Sequence, residues 1–247
     1  MARLVLRTDA EGPETERGFY PAREDTALLA RALDEIRPSP HDWLVEVGCG
    51  NGTVALEAAR RGFRTLATDL NLRALRHVRH RAQRVGGKLD TARIDLLRGL
   101  RAVRWILFNP PYLPTLTASK DPDPLENLAL DGGPDGWAVS RRFLEMLPDR
   151  LSPGGKAWLV ASSRQSTASR KASLAQWKAQ GGRSRRRETV AFGGERIQRW
   201  EFSWSGGSRQ RGAAEGRPAD ARRTRSLAGS VRSPPKSRPA RRPTRTR

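Results

Sequence analysis

Cysteine is almost absent from this sequence: Cys49 stands alone in 247 residues. A single cysteine excludes an internal disulfide framework and points to a reducing compartment. Long apolar runs are absent too. No stretch of 18 apolar residues occurs, so no membrane-spanning helix is expected. The segment from Met1 to Tyr20 has no hydrophobic run of the secretory-signal kind, and a cytoplasmic protein is the expectation. There is no internal repeat. Histidine is scarce, and His77 and His80 sit on a basic helix face with no acidic cluster nearby, which reads as solvated surface and no metal site. Acidic residues number 26 against 47 Lys and Arg, a net charge of +21. The stretch from Gly206 to Arg247 holds 12 Arg and one Lys against Glu215 and Asp220, so +11 lies there and +10 remains in the body. A basic body suggests an acidic partner, with nucleic acid or a ribosome-associated protein the leading classes.

What is present is organised around Asn109-Pro110-Pro111-Tyr112. It follows the apolar run Trp105-Ile106-Leu107-Phe108, which reads as a buried strand of a parallel sheet. Pro110 and Pro111 cannot donate to a sheet ladder, so they stop the strand and hold a stiff loop at its carboxyl end. Ligands of open α/β sheets sit at that end. The loop offers the Asn109 amide, the Pro110 carbonyl and the Tyr112 ring. Two acceptors and a stacking surface suit a planar group bearing an NH2, either an amide or the amino group of a base.

Upstream, Trp43-Leu44-Val45-Glu46-Val47 reads as a strand. It runs into Gly48-Cys49-Gly50-Asn51-Gly52 and then a helix from about Thr53 to Arg61, closed by Gly62. A strand, a glycine loop and a helix make the nucleotide-cofactor turn of a Rossmann-like α/β unit. The spacing Glu-x-Gly-x-Gly-x-Gly brings the last glycine one residue early for a pyrophosphate binder. A second strand, Arg64 to Thr68, ends at Asp69, placed to bind both ribose hydroxyls or to cap the next helix. That helix turns Leu75, Val78, Ala82 and Val85 inward. A third strand, Thr91 to Ile94, closes on Asp95, which can accept a hydrogen bond from an adenine amino group. Before all of these, Asp25 or Thr26 is placed to cap a helix with Leu28, Leu29, Ala32, Leu33 and Ile36 on one face, ended by Pro38. Leu4-Val5-Leu6 reads as a short strand. Downstream come a turn at Ser152-Pro153-Gly154-Gly155, a strand from Lys156 to Ala161, a helix from about Ser169 to Gln180 ended by Gly181-Gly182, and paired strands Arg187–Phe192 and Arg196–Trp204.

Taken in order, Glu46 to Gly52, Asp69-Leu70-Asn71, Asp95 and Asn109-Pro110-Pro111-Tyr112 resemble a class I S-adenosylmethionine-dependent methyltransferase of the amino-methylating kind. Two further stretches narrow the resemblance. Tyr20-Pro21-Ala22-Arg23-Glu24-Asp25-Thr26 and Leu130-Asp131-Gly132-Gly133-Pro134-Asp135-Gly136 are similar to segments of the short HemK-like release factor glutamine methyltransferases of archaea and eukaryotes. The resemblance covers roughly residues 18 to 204; it departs at Leu72, a helix-start position where that family often has Pro. Only 19 residues precede Tyr20, so the helical N-terminal domain of the long bacterial enzymes is expected to be absent.

The resemblance implies a seven-stranded, mostly parallel sheet with an antiparallel last strand and helices on both faces. It would occupy residues 20–205, after an irregular segment 1–19 and before a basic tail 206–247. The tail has no aromatic residue or periodicity and is expected to be disordered, with non-specific RNA contact as a possible use. By resemblance, Thr26, Glu46, Gly48, Gly50, Gly52, Asp69, Asp95 and Asn109 would hold S-adenosylmethionine, and Tyr20, Glu24 and Asp25 would close over the substrate beside Asn109, Pro110, Pro111 and Tyr112. The implied substrate is the glutamine of the Gly-Gly-Gln loop of a class I release factor, with a small zinc-binding activator subunit as partner. An amide nitrogen is a poor nucleophile because its lone pair is delocalised. Acceptance of its two N–H groups by Asn109 and the Pro110 carbonyl would turn the lone pair toward the methyl and stabilise charge developing on nitrogen, while Tyr112 packs on the planar group. No tuned general base is required. The same loop would serve an exocyclic base amine in RNA or DNA, and an inactive RNA-binding module is a third reading.

Overall fold

The computed structural model describes residues 22–115 and 124–204. The expectations at Leu4–Leu6, at Tyr20 and for the tail from Gly206 lie outside the described residues.

Seven strands form one sheet in the order β3-β2-β1-β4-β5-β7-β6. These are β1 (Trp43–Val47), β2 (Arg64–Asp69), β3 (Leu89–Arg93), β4 (Val103–Phe108), β5 (Leu151–Ser162), β6 (Gly182–Phe192) and β7 (Glu195–Trp204). The first five run parallel, while β7 lies antiparallel between β5 and β6. The order reverses between β1 and β4, so the carboxyl ends of these neighbours open a crevice at a topological switch point.

The central strands β1, β4 and β5 are buried on both faces, and period-two alternation shares their side chains between two cores. Leu44, Leu107, Trp158 and Val160 face one side, against α1 (Glu24–Ala30), the 3-10 turn Arg31–Glu35 and α2 (Thr53–Arg60). Val45, Val47, Ile106, Phe108, Leu159 and Ala161 face the other, against Phe143 and Leu144 of the helix Ala138–Met146 and Trp177 of the helix Thr167–Ala179. Ala55 of α2 and Leu75 and Val78 of α3 (Leu72–Ala82) form a third, smaller cluster with Cys49 and Ala67. Among the described residues no helix is long and apolar enough to cross a membrane.

Several local expectations change. The first helix is capped by Arg23, whose amide donates to Thr26 Oγ1 at 3.4 Å; Asp25 lies inside the helix and is buried. Asn71, not Asp69, caps α3 by accepting the Arg73 amide at 2.8 Å. That helix stops at Ala82, leaving Val85 outside it. Ser152-Pro153-Gly154-Gly155 is no separate turn. It is an irregularity inside the twelve-residue β5, where pairing with β4 slips from Val103↔Leu151 to Trp105↔Lys156. Gly182 does not end a helix; it opens β6 beneath Trp177, where a Cβ would lie 2.2 Å from the indole ring.

Candidate active site

The crevice begins in the turn between β1 and α2. Gly48, Gly50 and Gly52 take φ of 60°, 50° and 76°, values that side chains disfavour. Gly52 is also held by close packing: a Cβ there would lie 2.4 Å from Val78 Cγ2 of α3. The Cys49 amide donates to the Thr68 carbonyl at 2.8 Å and the Gly50 amide to Asp69 Oδ2 at 2.9 Å. The other Asp69 oxygen accepts the Asn71 amide at 2.8 Å. The turn is thereby tied to the end of β2, and Asp69 is locked in place. Burial raises the Asp69 pKa, against the pull of these amides.

Glu46 points elsewhere. Its Oε2 accepts the Ala55 amide at 2.6 Å in the first turn of α2. Burial, reinforced by the nearby Asp69 charge, pushes this carboxyl from its usual 4.5 up to about 8, so it carries a proton at neutral pH. Burial and the same two acids raise the Cys49 thiol, which keeps it protonated and unreactive.

Beyond the turn lies a cavity of about 160 Å³ bounded by Gly48, Gly50, Asp69, Asp95 and Asn109, with Ile94, Leu96, Phe108 and Val139 as apolar walls. Leu96 sits at φ 54°, rare for a bulky side chain. Its burial with Leu97 in the larger core opposes that strain. Asp95 stands in the wall but is engaged: Arg142 donates to it at 2.7 Å.

Asn109 and Pro111 line this cavity and a second cleft of about 450 Å³. The second cleft is bounded by Asp25, Pro110, Tyr112, Arg23, Arg164 and Glu195. The Tyr112 hydroxyl donates to Asp25 Oδ2 at 3.1 Å, joining α1 to the loop. Asp25 Oδ1 accepts the Thr26 amide at 2.7 Å. Asn109 Oδ1 is buried without a hydrogen-bond partner.

The segment Leu130–Gly136 clamps the loop from behind. The Leu113 amide donates to the Leu130 carbonyl at 3.1 Å, and the Gly132 amide returns to the Leu113 carbonyl at 2.8 Å. A Cβ at Gly132 would stand 2.8 Å from the Pro111 oxygen, and one at Gly136 2.6 Å from the Tyr112 oxygen. Glycine is required because backbone lies on backbone. Asp131 accepts the Gly133 amide at 2.8 Å and the Thr115 hydroxyl. Asp135 accepts Trp137 N at 2.9 Å, Arg141 Nη2 at 2.8 Å and Ser169 Oγ at 2.6 Å. The Ser169 hydroxyl, ahead of the Trp137 amide and Arg141, holds the Asp135 pKa below its ordinary value.

The fold thus gathers Gly48, Gly50, Asp69, Asp95 and Asn109 around one cavity and Asp25, Asn109, Pro110, Pro111 and Tyr112 around the other. Glu46, Gly52, Thr26 and Glu24 line neither. Glu46 and Gly52 set the course of α2, Thr26 the start of α1, and Glu24 is exposed. Arg142, Arg164 and Glu195 had no local signal, because strand pairing and helix packing bring them in. Among the described residues no group of three or more His, Cys, Asp or Glu side chains is placed to hold a metal ion.

The family model of the methyltransferase small domain matches residues 23–121. Over 146 residues the chain is 32% identical to a putative protein N5-glutamine methyltransferase of Methanocaldococcus jannaschii, covering 58% of this chain and 72% of that protein. Over 151 residues it is 33% identical to methyltransferase HEMK2 of Homo sapiens, covering 57% and 70%. It spans only about half, 55%, of the release factor glutamine methyltransferase of Moorella thermoacetica, at 33% identity over 59% of this chain. In solved structures it resembles a chain of the E. cuniculi Mtq2-Trm112 complex, which is described as responsible for methylation of the termination factor eRF1. The TM-score is 0.58 and the identity 26%, over 76% of this chain and 99% of that one.

Proposed function

This chain belongs to the HemK-like methyltransferase family, and from that premise we propose that it methylates the side-chain amide of a glutamine in a class I translation release factor. The observation that carries the reading is the buried, unpartnered Oδ1 of Asn109 on the wall common to two clefts. A buried acceptor left unpaired costs about 1–3 kcal/mol. That cost is recovered when a ligand donates to it, and a planar NH2 is such a donor.

S-adenosylmethionine, when bound, supplies an electrophilic methyl group on a sulfonium. The residues of the smaller cavity fit it. Asp69, its two oxygens already fixed by backbone amides, keeps lone pairs for ribose hydroxyls. Ile94, Leu96 and Phe108 offer apolar walls for a flat ring, and Asp95 lies at the rim. Gly48 and Gly50 let the backbone come close. Glu46, Gly52 and Thr26 support the site by shaping α2 and α1.

On the acceptor side, Asn109 Oδ1 and the Pro110 carbonyl accept the two amide N–H groups. This holds the nitrogen lone pair toward the smaller cavity and stabilises positive charge as it develops. Tyr112, tethered to Asp25, packs on the amide plane. The product nitrogen loses its proton after transfer, so no side chain of tuned pKa is needed.

The M. jannaschii and Moorella relatives are named for glutamine methylation, which supports the substrate. The likeness to a chain of the Mtq2-Trm112 complex supports a small activator subunit. We extend this to a zinc-binding activator, to cytoplasmic action on a translation factor, to a catalytic domain bounded at residues 20–205 and to non-specific RNA contact by the basic tail. The net charge of +21 favours one second reading, methylation of a base amine in RNA.

The test offers radiolabelled S-adenosylmethionine with a release factor, the same factor with its loop Gln changed to Ala, and bulk rRNA. Label is expected on the intact factor alone. Label confined to RNA overturns the glutamine reading. Asn109→Ala should lower turnover roughly 10²–10³-fold while cofactor affinity persists.

A further inference from the structure

The larger cleft is more than a slot for one amide. At about 450 Å³ it lies within the roughly 300–1,000 Å³ range of pockets that enclose ligands of drug size. An amide between Asn109 and Tyr112 occupies one end, and the rest must receive the chain on which the amide is carried. The opposite wall comes from elements without family motifs: the turn after β5 and the start of β7.

That wall is tightly built. The Arg164 amide donates to Ser162 Oγ at 2.9 Å, and the Ser162 hydroxyl in turn meets Glu195 Oε1. Arg164 Nε donates to Glu195 Oε2 at 3.0 Å. The Ser163 amide donates to the Arg196 carbonyl at 2.9 Å, and the Arg196 amide returns to Ser163 Oγ at 3.0 Å. Gln165 accepts the Ser162 amide and donates to the Gly136 carbonyl, both at 2.8 Å. Gly136 is the residue that backs the Tyr112 carbonyl, so the turn and the loop Asn109–Tyr112 share one frame. Only the Nε edge of the guanidinium is used. The two terminal nitrogens make no hydrogen bond among the described residues, although the side chain is 57% exposed beside the cleft.

We infer that Arg164, held by Glu195, is a substrate-binding residue that donates to main-chain carbonyls of the peptide flanking the acceptor glutamine. This rests on the function proposed above. The charge balance selects a peptide. Glu195 neutralises Arg164, and Asp25 and Arg23 bring one more charge of each sign, so the lining of the cleft has no net positive charge. A phosphate would have to sit against these acids, whereas a neutral carbonyl meets no such repulsion. A guanidinium fixed through one edge presents its remaining donors in a set direction, which lowers the entropy of forming each bond. Because a carbonyl is common to every residue, this contact reads the course of the chain beside the glutamine and not its side chains.

The test measures binding separately from transfer. A fluorescent peptide carrying glutamine flanked by glycines is titrated into wild type, Arg164→Ala and Arg164→Lys, and kcat and KM for the same peptide are measured in parallel. Arg164→Ala should raise the peptide Kd and KM roughly tenfold, the scale of a lost charge-assisted hydrogen bond, with kcat and cofactor affinity unchanged. Arg164→Lys should recover part of the loss. Peptide bound without methyl transfer even when the activator subunit is supplied, with the Arg164→Ala deficit intact, would overturn the glutamine reading and leave the contact standing. Equal peptide affinity in wild type and Arg164→Ala overturns the contact, as does failure of wild type to bind the peptide. A variant that weakens for an RNA oligonucleotide but not for the peptide overturns it in favour of a phosphate site.

Discussion

Adding one methyl group at Gly136, at Gly132 or at Gly99 separates two reasons for needing glycine. Gly99 lies at φ 71° with nothing within 4 Å of an added Cβ, so alanine there meets only backbone strain, about 1–2 kcal/mol for the left-handed region. Gly132 has no positive φ, but its Cβ would stand 2.6 Å from the Gly136 oxygen and 2.8 Å from the Pro111 oxygen. Alanine there meets only crowding, about 1–3 kcal/mol for an overpacked site. Gly136 combines φ 68° with a Cβ 2.6 Å from the Tyr112 oxygen, so the two costs add to about 2–5 kcal/mol. Urea unfolding would rank the variants with Gly136→Ala least stable. Turnover, measured where all remain folded, would fall for Gly132→Ala and Gly136→Ala and stay at the wild-type level for Gly99→Ala, because only the first two push on carbonyls of the loop Asn109–Tyr112. If Gly136→Ala proved no more destabilising than Gly99→Ala, the clamp would have no role in holding the loop.

Two further sets of variants probe the frame of the site. The Glu46 carboxyl, raised by burial from 4.5 to about 8, binds a proton in the folded state that the unfolded chain has released. Its contribution to stability is therefore fully present below about pH 4.5 and is lost as pH rises toward about 8. Glu46→Gln keeps an oxygen for the Ala55 amide, so its stability relative to wild type should climb by a few kcal/mol across that window, about 1.4 kcal/mol for each pH unit crossed, and level off above it. Parallel slopes for the two proteins in denaturant titrations at several pH values would contradict this. For the Tyr112–Asp25 hydrogen bond, Tyr112→Phe and Asp25→Asn should each lower turnover. The double variant should lose less than their sum by about 1 kcal/mol, and strict additivity in the cycle would mean the tether has no role in placing the ring.

Much of this molecule is legible locally. The apolar runs ending at Val47 and Phe108 are buried from both sides, so an unbroken run already announces a central strand. The glycine turn, Asp69 and the loop Asn109–Tyr112 follow directly from strand ends, where the Rossmann-like order puts ligands. The less legible features depend on distant partners. Asp25 has the position of a cap, yet its carboxylate turns inward to a hydroxyl 87 residues away. Glu46 reads as a ligand residue by position, and one of its oxygens accepts the amide of Ala55, nine residues on. Asp95 reaches the cavity wall already paired with Arg142. Arg164 and Glu195 meet only because β5 and β7 run antiparallel in a register that sets Ser162 opposite Ile197. No property of either neighbourhood forecasts that pairing. Ser152-Pro153-Gly154-Gly155 has every mark of a turn, but the strand continues through it, its ladder slipping instead.

The outer strand β6 has a consequence for how these molecules behave together. It is eleven residues long and, among the described residues, bonded only to β7. A flat edge of that length is a template for another chain's backbone. Arg183, Arg185 and Arg186 stand exposed along it, while Arg187 is paired with Glu35 and Glu201, so a second copy approaching edge to edge brings the same row of cations against it. Electrostatic repulsion therefore keeps crowded molecules apart, and this protection weakens as salt shortens the reach of the charges, about 10 Å at 0.1 M and 3 Å at 1 M. Concentrated stocks should stay dispersed at low ionic strength and lose that protection in brine, opposite to the usual practice of adding salt to keep a basic protein in solution.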